Sequence, residues 1–398
     1  MISKALWFKL HSWVGVNTSI LLCFIALTGS FALISSELDW LSNSAKRVSP
    51  ESVDTVNWLA IYSRAQQKIP QHPIRSIEAP PYSWFSAEVI YEKDNKERHR
   101  LFFHPSTGQY LGEGRWLNWQ RFFRMLHRHV MLPVTLGITL VGLLAVSLVI
   151  VLISSLYFYK NWWRYFFRFP NLHNKRTRWA DIHKLIGVWS LLFLLIISIT
   201  GCWYLAERWG AKATYPNSGK PVTLEAKKNR IMPSIEQFSL MLDQTDTYFP
   251  ALKIQAIEFP RKAGELVEIQ GQAQAILVRP RANFVAFDPV SSQIITQHNA
   301  LDLSFHARIS EAADPIHFGQ WGGLFSKSIH LIFGILLIVL TATGTYRYGM
   351  RIARLPRKQQ RVAKQIWVTV FKQNKVIMGL SLLGIIIAIG YGATSFII

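Results

Sequence analysis

Five times along the chain the charged residues withdraw. Residues 12–36, 132–159, 185–206, 328–346 and 376–398 carry no Asp, Glu, Lys or Arg. Each run is long enough to cross a bilayer as a helix. Lipid offers the backbone no partner, so each run predicts an α-helix that satisfies its own hydrogen bonds. Lys4 and Lys9 precede the first run as they would precede a secretory signal. Its apolar part is too long for that, and no small-x-small site follows, so it reads as a retained helix.

The two long segments between the spans have a different pattern. In the first, a helix-like run at 56–69 is followed by strand-like stretches at 74–78, 84–91 and 100–104. The second has a helix-like run at 235–242, then strand-like stretches at 253–259, 266–270, 275–278 and 283–287. Both close on the same turn, Phe103-His104-Pro105-Ser106-Thr107-Gly108-Gln109 and Phe287-Asp288-Pro289-Val290-Ser291-Ser292-Gln293. Pro with Gly or Ser suits a tight turn between strands. The expected architecture is a mainly α membrane protein, with a four-helix core, a C-terminal fifth helix and two small α+β modules related as a weak repeat. Its divisions are span 1 (1–36), module 1 (37–128), span 2 (129–159), a short loop (160–184), span 3 (185–206), module 2 (207–327), span 4 (328–346), a basic loop (347–375) and span 5 (376–398).

Composition agrees and charge adds direction. Half of the 398 residues are hydrophobic and only 17% are charged, fewer than in soluble proteins. The net charge of +21 would suit a nucleic-acid partner. Sorted by segment, however, +17 falls on the N-terminus, 159–184 and 347–375, and +4 on the two long segments. Lys and Arg in short loops mark the cytoplasmic side. The expectation is therefore a bacterial inner-membrane protein with a cytoplasmic N-terminus, a periplasmic C-terminus and both modules outside, with no nucleic-acid partner. Two cysteines exclude a disulfide framework, and no Cys-x-x-Cys-His offers covalent haem attachment.

Of the 12 histidines, four stand near the opening turns of spans. His11, His183 and His330 open spans 1, 3 and 4, each followed at +4 by glycine: Gly15, Gly187 and Gly334. Residues i and i+4 share a helix face, so glycine leaves a flat space beside the imidazole, as a porphyrin requires. Close helix packing is the alternative use. His127 precedes span 2 without such a glycine, and His129 is its alternative. Thr28-Gly29 and Thr200-Gly201 recur at one offset in spans 1 and 3, with Thr343-Gly344 in span 4. Topology sorts the four into an inner pair, His11 with His183, and an outer pair, His127 (or His129) with His330. Imidazole pairs of this kind suit haem iron. The spans hold no Asp or Glu, which disfavours a zinc site or a proton relay. His306 and His317 flank the start of span 4, near the outer pair.

These residues resemble the PepSY-associated transmembrane proteins, the FoxB/PiuB-like inner-membrane ferric-siderophore reductases. The resemblance rests on Leu10-His11-Ser12-Trp13-Val14-Gly15 with Thr28-Gly29, and on Leu126-His127-Arg128 before span 2. Asp181-Ile182-His183-Lys184-Leu185-Ile186-Gly187 with Thr200-Gly201, and His330 with Gly334, complete it. It covers nearly the whole chain and implies two PepSY-like periplasmic modules and two b haems on transmembrane histidines. The implied activity is a membrane-bound ferric-siderophore reductase, with electrons passing outward to a ferric siderophore. No Gly-x-Gly-x-x-Gly or Walker motif is present, so the donor is expected to be a quinol or a separate cytoplasmic reductase. The rival expectations are a haem-free siderophore-uptake permease subunit, a PepSY membrane tether, or a di-haem cytochrome for another periplasmic acceptor. The aromatic run Trp162-Trp163-Arg164-Tyr165-Phe166-Phe167 reads as an interfacial belt. Trp116, Trp119, Phe122 and Phe123 with Arg115, Arg121 and Arg124 suit either an anionic chelate or a membrane surface.

Overall fold

The structure is a computed structural model that describes residues 3–50, 55–93, 96–171, 177–353 and 363–397. His173 and the central part of the basic loop at 347–375 lie outside the described residues. The chain forms two units. One comprises residues 1–35, 120–212 and 316–398; the other comprises 36–119 and 213–315.

The first unit is a helical bundle. Among the described residues, five helices are long and apolar enough to cross a membrane: Lys4–Leu33, Val134–Phe158, Leu191–Arg208, Gly323–Ile352 and Lys375–Thr394. The third is preceded by Arg178–Trp189, which parts from it at Ser190. Together the two pieces form span 3. Spans 1 to 4 close a ring: span 1 packs on spans 2 and 4, span 2 on span 3, and the first piece of span 3 on span 4. Span 5 lies against span 1. Leu22, Phe24, Ile25, Leu144, Leu148, Leu152, Leu194 and Leu337 fill the bundle interior.

Spans 2 and 4 do not begin directly from the other unit. Helix Trp119–His129 comes before span 2, and Val130 and Met131 then reverse the chain at φ 52° and 55°. Helix Phe305–His317 comes before span 4, and Gly319 and Gly323 reverse the chain at φ 65° and 59°. The expected module 1 included the first lead-in helix, but its apolar face belongs to the bundle. Phe123 stacks on Phe31 of span 1 at 4.8 Å, and Leu126 is buried among the spans.

The second unit corrects the expectation of two separate modules. It holds one antiparallel sheet of eight strands: β1 (Ile74–Glu78), β2 (Ala87–Glu92), β3 (Arg98–Phe103), β4 (Tyr110–Arg115), β5 (Lys253–Glu258), β6 (Val267–Gln272), β7 (Asn283–Phe287) and β8 (Ile294–His298). The spatial order is 4-3-2-1-5-6-7-8. The halves join through β1 and β5, with Ile77 opposite Ile257. An apolar strand edge left open invites association, and each half closes the other's. Helices Trp58–Lys68 and Ile235–Tyr248 contribute Tyr62 and Phe238, which meet Phe259 in one core. Residues 275–278, expected as a strand, form no strand. Ala275 and Val278 are instead buried in a small cluster with Ala300, Leu303 and Ala307.

The repeated turn holds at atomic detail. The His104 N–H donates to Gln109 O at 2.8 Å, and the Asp288 N–H to Gln293 O at 3.0 Å. Gly108 and Ser292 occupy the same left-handed position, at φ 67° and 58°.

Candidate functional site

The bundle brings four imidazoles together as two pairs. His11 and His183 have ring centroids 6.5 Å apart, with planes at 80°. His127 faces His317 at 6.1 Å, with planes at 46°. The first is called here the near pair, because it lies by the start of span 1. The second is the far pair, held against the other end of that span. Between His11 and Thr28 a straight helix rises about 25 Å.

Each imidazole is held by a neighbouring helix through its Nδ1. His127 Nδ1 donates to Ile25 O at 2.9 Å, an oxygen that also receives the Thr28 hydroxyl at 3.2 Å. The next residue, Gly29, makes room for the ring: a Cβ there would come 2.7 Å from His127 Cε1. His183 Nδ1 donates to Leu340 O at 3.1 Å and lies 3.2 Å from the Thr343 hydroxyl, and Gly344 makes room for its ring. His11 Nδ1 donates to Val151 O at 3.1 Å beside the Ser154 hydroxyl at 3.4 Å, with Ser155 next. His317 Nδ1 meets the Thr200 hydroxyl at 2.7 Å; Gly201 follows, but it packs against Ala145 rather than against the ring. The Thr200 proton already goes to Ile196 O and Ile197 O, so His317 donates there.

One arrangement therefore occurs four times, once on each of spans 1 to 4. Each span offers a carbonyl at i, a hydroxyl at i+3 and a small residue at i+4; His11 and His183 meet both polar groups, His127 the carbonyl and His317 the hydroxyl. A carbonyl only accepts, so Nδ1 carries the proton and Nε2 keeps its lone pair. That is the tautomer a metal-ligating histidine uses, and the Nδ1 bond both orients the ring and raises its basicity.

The arrangement also repeats between halves of the chain. Span 1 places His11 on span 2, and the helix before span 2 places His127 on span 1. Span 3 places His183 on span 4, and the helix before span 4 places His317 on span 3. Each histidine is cradled within its own half and meets its partner from the other half.

Several sequence expectations shift here. His330 is not the ring opposite His127. Its Nδ1 faces Ser326 O, and its Nε2 faces Ile316 O, both at 3.0 Å. Both ring nitrogens are thus directed at carbonyls. The ring instead supports the end of the helix that carries His317, fitted against Gly319. His129 is buried against Gly137 of span 2, where glycine lets the backbones meet. Gly15 faces open space and Gly187 has only Leu340 Cδ1 near, at 3.6 Å. Gly334 is a packing contact: a Cβ there would lie 2.5 Å from the Ser30 hydroxyl. The sequence signal for the cradles was the recurrent Thr-Gly. The glycine that receives an imidazole lies on another helix, not four residues beyond the histidine.

Among the described residues no group of three or more His, Cys, Asp or Glu could hold a metal ion. Trp116 lies beneath Arg98 and Arg100 at 5.0 and 4.8 Å, within the sheet unit. There burial alone would push the Glu88 carboxyl up, but Lys46 and Arg100 hold it below its ordinary value. Glu78 is pushed up to about 7 by burial, with Glu88 adding to it.

Residues 8–351 match the family model described as the PepSY-associated TM region. The chain belongs to this family. The match takes in the whole of both halves, from the turn before His11 to the end of span 4, and leaves span 5 outside. A protein of Pseudomonas aeruginosa, described only as uncharacterized, is 24% identical to this PepSY-associated chain over 250 residues. The similarity covers 58% of this chain and 63% of that relative, less than two thirds of its length.

Proposed function

We propose that this PepSY-associated protein is a di-haem b-type electron-transfer protein of the bacterial inner membrane, reducing ferric siderophore iron in the periplasm. Its electrons would come from a quinol or a cytoplasmic reductase. The observation that carries the reading is the cradle on each of four spans, which engages every Nδ1, leaves every Nε2 its lone pair, and brings the rings together as two pairs. An iron held by one nitrogen from each of two imidazoles, at about 2 Å apiece, puts the ring centroids roughly 6.3 Å apart. The two separations found, 6.5 and 6.1 Å, fit that requirement.

Haem bound at each pair would supply a one-electron carrier in an apolar setting. The chain's own residues would do the rest. His11 and His183 would hold the near group, and His127 and His317 the far one. Val151, Leu340, Ile25 and Thr200 fix the tautomer of each ring. Gly15 and Gly187 leave the near pair's helix faces clear, and the leucines and phenylalanines of the interior keep water out. At the acceptor, iron(III) gains one electron. The product iron(II) is softer and more weakly held by hard oxygen ligands.

Protein made with ample haem should give two b haems per chain by pyridine haemochrome. His317→Ala should lose one, whereas His330→Ala should keep iron ligation at both. A purified protein with no Soret band would leave the haem-free permease or tether. Rapid mixing of the dithionite-reduced protein with ferric siderophores should oxidise the haem. If every siderophore leaves it reduced, a different periplasmic acceptor is indicated.

A further inference from the structure

Arg347 is a cation of the bundle for which the described residues supply no ion pair. Arg347 lies four residues beyond Thr343 on span 4, on the same helix face. Thr343 and Gly344 hold His183, so Arg347 stands one turn further toward the end of the bundle where the near pair lies. Its charge acts on both His183 and His11. The side chain is part-buried, and among the described residues no carboxylate forms an ion pair with it. Asp181, the acid that acts on it at a distance, is engaged by Lys184 at 3.7 Å.

A guanidinium removed from water with no anion is costly. The two imidazoles of the near pair carry no negative charge, so neither can neutralise it. Arginine's planar fork is suited to a carboxylate. A porphyrin carries two carboxylates on one edge, and the near pair is where such a ring would sit. Resting on the haem reading above, we propose that Arg347 receives a propionate of the porphyrin held by His11 and His183. It therefore sets both the orientation of that ring and the charge beside its iron. His127 and His317 have no role in this contact, so the far site is an internal control.

The test compares full-length wild type, Arg347→Gln and Arg347→Lys, made with ample haem, by haem content and optical redox titration. Arg347→Gln should keep the far component. Its near component should be lost or its midpoint should fall, and Arg347→Lys should retain near haem. Two components unchanged in content and midpoint in Arg347→Gln overturn the proposal. A second measurement isolates the carboxylate contact, using iron protoporphyrin dimethyl ester in the His317→Ala background, which keeps only the near pair. With Arg347 present, the ester should bind more weakly than haem by at least about tenfold, the loss of one charge-assisted contact. Arg347→Gln should remove that discrimination. Equal uptake of ester and haem with Arg347 present also overturns the proposal. Wild type that takes up no haem at all defeats the haem reading itself, and is recognisable before any variant is made.

Discussion

The near and far histidine pairs have nearly the same ring separation and are built differently. His11 and His183 belong to spans, and the rigid helix that crosses the bundle carries each ring directly. His127 and His317 sit on short lead-in helices that turn back sharply before a span begins. The near pair therefore depends on how spans 1 to 4 pack. The far pair depends as well on two tight reversals, at Val130-Met131 and at Gly319. Similar pairs can thus be reached by one rigid element or by two elements and a turn. The second route gives the far pair more ways to fail.

The largest effects should come from filling a cradle. Gly344→Val would push a branched side chain into the His183 ring, and overpacking of this kind costs about 1–3 kcal/mol. Loss of the near haem signal with the far one intact is expected by visible spectroscopy. Gly29→Val should do the reverse, through His127. Gly15→Ala is the contrast, since open space faces Gly15 and both signals should survive. If Gly344→Val and Gly15→Ala behave alike, the cradles do not position the rings.

A smaller effect should separate the pairs by their acceptors. His317 leans on one hydroxyl, whereas His183 has a carbonyl and a hydroxyl. Thr200→Val would strip His317 of that acceptor, a loss of about 1–3 kcal/mol. Thr343→Val leaves the Leu340 carbonyl, so under about 1 kcal/mol is expected. Haem retention during dialysis reads the difference, and serine at either position should restore it. A larger loss from Thr343→Val would reverse the ranking.

The effect that reaches neither pair lies in the sheet unit. The folded Glu78 carboxyl is raised to about 7 from its ordinary 4.5. Its favourable contribution is then complete below about pH 4.5 and fades as pH rises through 7. Glu78→Gln should raise the melting temperature of the whole protein at pH 8 and leave it nearly unchanged at pH 4. A gain of equal size at both values would mean that Glu78 is not the group responsible.

Much of this was legible from residues alone. The five apolar runs each contain a long helix, and the Phe-x-Pro turn repeats as a pair of matching β-turns. His11 and His183 were found because a histidine on a span keeps its helical spacing. The far pair was harder, since the pattern His330–Gly334 imitates the motif of spans 1 and 3 while serving other ends. Gly334 admits Ser30, and His330 supports a helix end. His317 carries no local signature, because its partner Thr200 is distant in sequence and joins it only through tertiary packing. Span 2 hid its cradle by using Ser154-Ser155 where the other spans have Thr-Gly. The continuous sheet was equally hidden, as no strand reports which foreign edge it will meet.

The pairing of β1 with β5 has a consequence for how the protein is made. β1 is synthesised early, and the strand that completes its edge follows only after spans 2 and 3 have been made. Through that interval the nascent half-sheet presents an unpaired apolar strand, the kind of edge that recruits the wrong neighbour. The ribosome must therefore deliver two membrane helices while the first half-sheet waits. A chain arrested before Lys253–Glu258 is left with a sticky edge rather than a finished small domain.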